Sequence, residues 1–163
     1  ADADPSTFER FLAAAPVETN PELRADLLRA VSLVSDEGRL RSALALTFDK
    51  RLEAREARGL LMAGRTPQQA RVVDAYFREH IQDLLARFPD TGGGGSAGLA
   101  LTFLRTCDAA RRDDAAAFVK QHFSKFTGSQ RIIARGIEGY DQCVAARALL
   151  GPRVEAWLAR ATR

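Results

Sequence analysis

The chain has 163 residues, 46% of them hydrophobic and 28% charged, which suits a globular protein of one domain with a substantial core. Its formal net charge is only +3, and arginines are interleaved with acids, as in Asp26/Arg29, Glu53/Arg55 and Asp74/Arg78. That describes a solvated, ion-paired surface without the basic stripe that nucleic acid requires, and no apolar run approaches the ~20 residues of a bilayer span.

The chain opens Ala1-Asp2-Ala3-Asp4, with neither an initiator Met nor a visible signal peptide, so a larger parent protein is expected. Asp4-Pro5 reads as the cap and first position of a short helix, with Phe8, Phe11 and Leu12 on its apolar side and Pro16 ending it. Asn20-Pro21 repeats the start signal for a helix striped by Leu23, Leu27, Val31 and Val34. Ser35-Asp36 opens a third, carrying Leu40, Ala43, Leu44 and Phe48. A fourth is expected from Arg51 to Ala63, stopped by Gly64.

Thr66-Pro67-Gln68-Gln69 has capping-box spacing and launches a long helix. Ala70, Val73, Phe77, Ile81, Leu84 and Phe88 mark its buried face, with Asp74/Arg78 and Asp83/Arg87 as outer i,i+4 pairs. Pro89 to Thr91 and four glycines, Gly92 to Gly95, read as a flexible loop; no strand precedes them and no Lys follows, so they do not make a phosphate loop. Ser96 to Cys107 resumes with Leu99, Leu101, Phe103 and Leu104. Asp108 caps a helix bearing Ala115, Phe118, Val119 and Phe123, and Phe126 to Gly128 form a turn.

Ser129 to Leu158 closes the sequence as a long amphipathic helix, a Gly-Pro break and a short apolar helix. Ile133, Ile137, Tyr140, Val144 and Ala148 recur at helical spacing, so this stretch needs a partner surface. No segment alternates like a strand. The expected fold is all-α: antiparallel helix pairs stacked as a HEAT- or armadillo-like solenoid over 1–163, with a compact helical bundle as the alternative.

Chemistry-bearing patterns are missing. There is no H-E-x-x-H, no G-x-x-x-x-G-K-[ST] and no G-x-S-x-G. His80 and His122 have no ligand-spaced partners, and Trp157 and Tyr140 read as core or interface anchors. Cys107 and Cys143 are either two buried small hydrophobes or a disulfide between helices, the latter implying an oxidising compartment. No catalytic, cofactor-binding or metal-ligating residue is therefore assigned.

Three segments in order carry a further pattern. Ala75 to Pro89, AYFREHIQDLLARFP, sets out Tyr76, Phe77, His80, Asp83, Leu84, Leu85, Arg87 and Pro89. Gly98 to Phe123 joins the Cys107 segment to a helix bearing Phe118 and Phe123. SQRIIARGIEGYDQCVAARALLGPRVEAWL then sets out Arg131, Ile137, Glu138, Cys143, Pro152 and Leu158. In these positions the chain resembles the helical C-terminal domain of the aminopeptidase N family, the zinc aminopeptidases that include the puromycin-sensitive and endoplasmic-reticulum enzymes. Asn20 to Val34 fits the same style less specifically. Tyr76 stands where the family usually has Trp, and Arg135 where it has Gln.

The resemblance implies a non-catalytic domain that caps the catalytic domain of a parent aminopeptidase and shapes the access of peptides. The parent's zinc, H-E-x-x-H and G-x-M-E-N would lie in domains that this sequence lacks. The implied partners are that catalytic domain and peptide substrates, with no nucleic acid and no membrane span. It further implies that Pro152 turns the chain so that Trp157 and Leu158 seal the helical stack. Arg131 and Glu138 are expected to tie the last helix to its neighbour.

Overall fold

The computed structural model describes residues 4–62, 66–89 and 95–161. The described residues form nine α-helices and no strand, so the all-α expectation holds. The chain groups into two compact units, 1–89 and 90–163. Each unit packs in a manner consistent with a compact helical bundle.

The first unit holds α1 (Pro5–Ala14), α2 (Pro21–Val31), α3 (Glu37–Ala45), α4 (Ala54–Leu60), α5 (Pro67–Glu79) and α6 (Ile81–Arg87). Its starts are those that local side chains dictate. Asp4 accepts from the Thr7 amide, Asn20 from Glu22 and Leu23, and Asp36 from Arg39, each satisfying amides that a helix start leaves open. The Thr66–Gln69 capping box forms in both directions, at 3.2 Å each way.

Gln69 does more than cap. Its side chain is buried, and Nε2 donates to the carbonyls of Leu33 and Val34 at 3.1 and 2.9 Å, tying α5 to the link between α2 and α3. Phe8, Leu28, Val31, Leu40, Leu44, Leu60, Val73 and Phe77 fill the core between these helices.

Several expectations shift here. The α2 stripe turns on Leu28 and Val31, leaving Leu23 exposed. The fourth helix is shorter than expected, and Ala63 and Gly64 lie outside the described residues. The long helix from Thr66 bends at His80, whose backbone leaves helical geometry at φ −114°, ψ 19°, although its N–H still bonds to Tyr76. Arg87 does not serve the expected Asp83 pair: it donates to the carbonyls of Thr47 and Leu52, at 3.3 and 2.6 Å, and secures the 46–52 turn.

The second unit holds α7 (Gly95–Phe103), α8 (Arg112–Phe123) and α9 (Ser129–Ala161). Residues 90–94, which include most of the expected glycine loop, lie outside the described residues. Asp108 caps a short 3-10 turn, Ala109–Arg111, that leads into α8. Gly128 supplies the positive φ of 74° that ends the 124–128 turn, a conformation glycine adopts without steric cost.

The three helices close on Leu99, Phe103, Leu104, Val119, Phe123, Ile133 and Tyr140. At Gly136 the helices approach closely: a Cβ there would sit 2.6 Å from Leu104 Cδ1.

The expected Gly-Pro break is overturned. α9 runs unbroken from Ser129 to Ala161 with Pro152 inside it. Proline's φ suits a helix, but an interior proline loses the N–H bond to the Ala148 carbonyl and crowds that carbonyl with its ring, at a cost of about 3 kcal/mol. Ala148 is exposed, so water can satisfy the freed carbonyl and offset part of that cost.

Candidate functional site

The strongest polar cluster in the second unit clamps the α7–α8 connection onto α9. Tyr140, almost fully buried, places its hydroxyl 2.8 Å from Thr106 Oγ1 and donates to the Asp108 carbonyl, also at 2.8 Å. Between those two residues Cys107 is bonded to Cys143, with the Cα atoms 5.4 Å apart. This settles the alternatives left open by the sequence in favour of the disulfide.

One turn along, Arg112 grips Asp141 through two bonds of 2.7 Å and reaches Asp113 at 2.9 Å. The guanidinium holds the Asp141 carboxyl below the usual carboxylate range, and the two acids hold Arg112 more firmly protonated. The expected ties through Arg131 and Glu138 are not what joins the helices. Both side chains are exposed, and Glu138 accepts from Gln142 on its own helix at 3.3 Å.

In the first unit Arg41 bridges Glu37 and Glu79, the latter through bonds of 2.8 and 3.2 Å. These bonds hold the Glu79 carboxyl below its ordinary range. Beside the pair, the rings of Tyr76 and His80 lie 4.4 Å apart, and Phe48 closes on His80 at 5.7 Å. Burial pushes the Tyr76 phenol up to about 12. His122 packs on Phe118 at 4.4 Å. Each histidine thus keeps aromatic company rather than a nucleophile.

A groove of about 320 Å³ opens between α2 and α4, floored by Ala25, Leu28, Leu33, Gly59 and Met62. Glu56 at its rim is already paired with Arg24 at 2.7 Å. The groove has the size of a small ligand site without converging polar groups to orient one.

Among the described residues no three His, Cys, Asp or Glu side chains come together as metal ligands, and both cysteines are spent in the disulfide. No described helix is long and apolar enough to cross a membrane.

The feature that sequence reasoning misplaced is the far end of α9. Tyr140 and Ile133 are buried, but from Ala145 onward every described residue is exposed except the half-buried Gly151. Leu149 (62%), Leu150 (48%), Val154 (54%), Trp157 (60%) and Leu158 (48%) all face solvent. Trp157 and Leu158 therefore do not seal the helical stack within this chain. The sequence offered Trp157 and Leu158 as a sealing pair; the exposed stripe of Leu150, Val154 and Trp157 emerges only from the packing.

Comparison with protein-family models, with curated proteins and with solved structures finds no match to this chain.

Proposed function

We propose that this chain is a non-catalytic α-helical domain of a zinc aminopeptidase-like protein, capping the catalytic domain and shaping peptide access. The reading rests on one observation: the ordered resemblance of Ala75–Pro89, Gly98–Phe123 and Ser129–Leu158 to the helical C-terminal domain of that family. The all-α fold is compatible with it, and several residues that carry the resemblance have definite structural work. Arg87 secures a turn, Tyr76 and Phe77 lie in the core, and Cys143 joins α9 to the α7–α8 connection. Stacking of the helix pairs as a solenoid belongs to the same proposal, because a concave helical surface can hold an extended peptide and closure can exclude oversized substrates.

The parent would remove N-terminal residues from peptides with zinc held outside this sequence. The purified chain should leave aminoacyl-p-nitroanilides intact, with or without added zinc. Hydrolysis that a chelator abolishes would sink the reading. Reading the gene upstream should reveal H-E-x-x-H and G-x-M-E-N in frame. The second reading, a free-standing helical protein-binding scaffold, is favoured by the uncovered face of α9. A start site just before Ala1 would decide for it.

A further inference from the structure

We propose that the last part of α9 is a docking seam for one class of partner, an α-helix with an apolar stripe and acidic flanks. α9 carries two seams, not one. Ile133, Ile137, Tyr140 and Val144 pack inward with α7 and α8. Leu150, Val154, Trp157 and Ala161 follow at spacings of four, three and four, the alternation of a coiled-coil stripe. At 3.6 residues per turn the second set is centred about 100° around the helix from the first. It is therefore no frayed continuation of the buried face but a separately aimed surface, and all four of its residues are exposed.

This part of α9 is a helix of low intrinsic stability. It extends roughly 17 residues, or about 25 Å, past Val144. Gly151 and Pro152 lie in its middle, and both are poor helix residues in water. Packing on a partner supplies what the local sequence does not.

Charge selects the partner. Arg153 and Arg160 flank the same side of the stripe, and Arg147 adds a third cation against Glu155 alone. A second copy packed antiparallel would set Arg153 and Arg160 against their own counterparts. Packed in parallel, it would set Arg153 toward Leu158. Neither arrangement pairs the arginines, whereas Glu or Asp at the facing flank positions does. The inference stands apart from the aminopeptidase reading and survives its failure.

Trp157 is the chain's single tryptophan, so its emission reports on this seam alone. The full chain is titrated with a synthetic amphipathic peptide carrying Leu on its seam and Glu on its flanks, and with a twin carrying Lys. The Glu peptide should give a saturable blue shift that weakens with salt. Arg153→Glu with Arg160→Glu should weaken that binding by about tenfold and transfer the preference to the Lys peptide. Leu150→Asp should abolish both while circular dichroism shows the rest of the chain folded.

The proposal is overturned by equal binding of the two peptides to the native chain, or by no shift with either. A blue shift produced by raising the protein concentration alone would assign the seam to a second copy. A shift with phosphatidylglycerol-containing vesicles and none with the peptides would assign it to a membrane surface. Either result overturns the proposal.

Discussion

Tyr140 is the residue on which the second unit turns. Its hydroxyl serves both Thr106 and the Asp108 carbonyl from a buried position, so Tyr140→Phe leaves two polar groups without that partner. The expected cost is about 1–3 kcal/mol in denaturant unfolding. Its neighbour Asp141 gives a pH dependence instead. Arg112 lowers the folded-state pKa of Asp141, so the unfolded chain takes up its proton first as the pH falls. The contribution is complete above the unfolded pKa and is lost as the pH drops through the folded one. Asp141→Asn should flatten that acid limb in thermal melts taken across pH, whereas Glu138→Ala, bonded only within α9, should leave the melting temperature unchanged.

At the scale of elements, α9 shows why glycines on one helix are not equivalent. A Cβ at Gly139 would meet nothing within 4 Å, whereas one at Gly136 would meet Leu104 Cδ1 at 2.6 Å and Leu101 Cδ2 at 3.0 Å. Leu104 is buried and has little room to yield. Gly139→Ala should therefore stabilise by about 0.5–1 kcal/mol through helix propensity. Gly136→Ala should be destabilising by about 1 kcal/mol, the overpacking outweighing the same propensity gain. Opposite signs in one unfolding assay are the expected result; equal signs would mean that α7 and α9 are not so closely apposed.

For the molecule as a whole, the disulfide is the one covalent constraint on topology. It spans 36 residues and so encloses α8 and its connections. Chain-entropy arguments give such a closure about 4 kcal/mol. Cys107→Ser, or a dithiol reductant, should lower unfolding stability by that order, with native and reduced chains compared in guanidinium.

The sequence by itself determined the local events. Asp4, Asn20, Asp36, Thr66 and Asp108 announce helix or turn starts because capping is a contact between near neighbours, and the structure places each of them so. The all-α class followed from the same short-range signals and from helical periodicity. Tertiary structure alone decided matters that depend on residues far apart in the chain. Gln69 reads as a cap in sequence, yet its amide ties α5 to Leu33 and Val34. Arg87 promised an i,i+4 pair and took the Thr47 and Leu52 carbonyls. The pairing of Cys107 with Cys143 needed α9 laid beside the α7–α8 connection. Pro152 reads as a break, yet α9 continues through it, with the carbonyl it frees at exposed Ala148 open to water. The apolar character of the last segment was visible from the start, but that says only that such residues want cover, and packing decides which of them receive it.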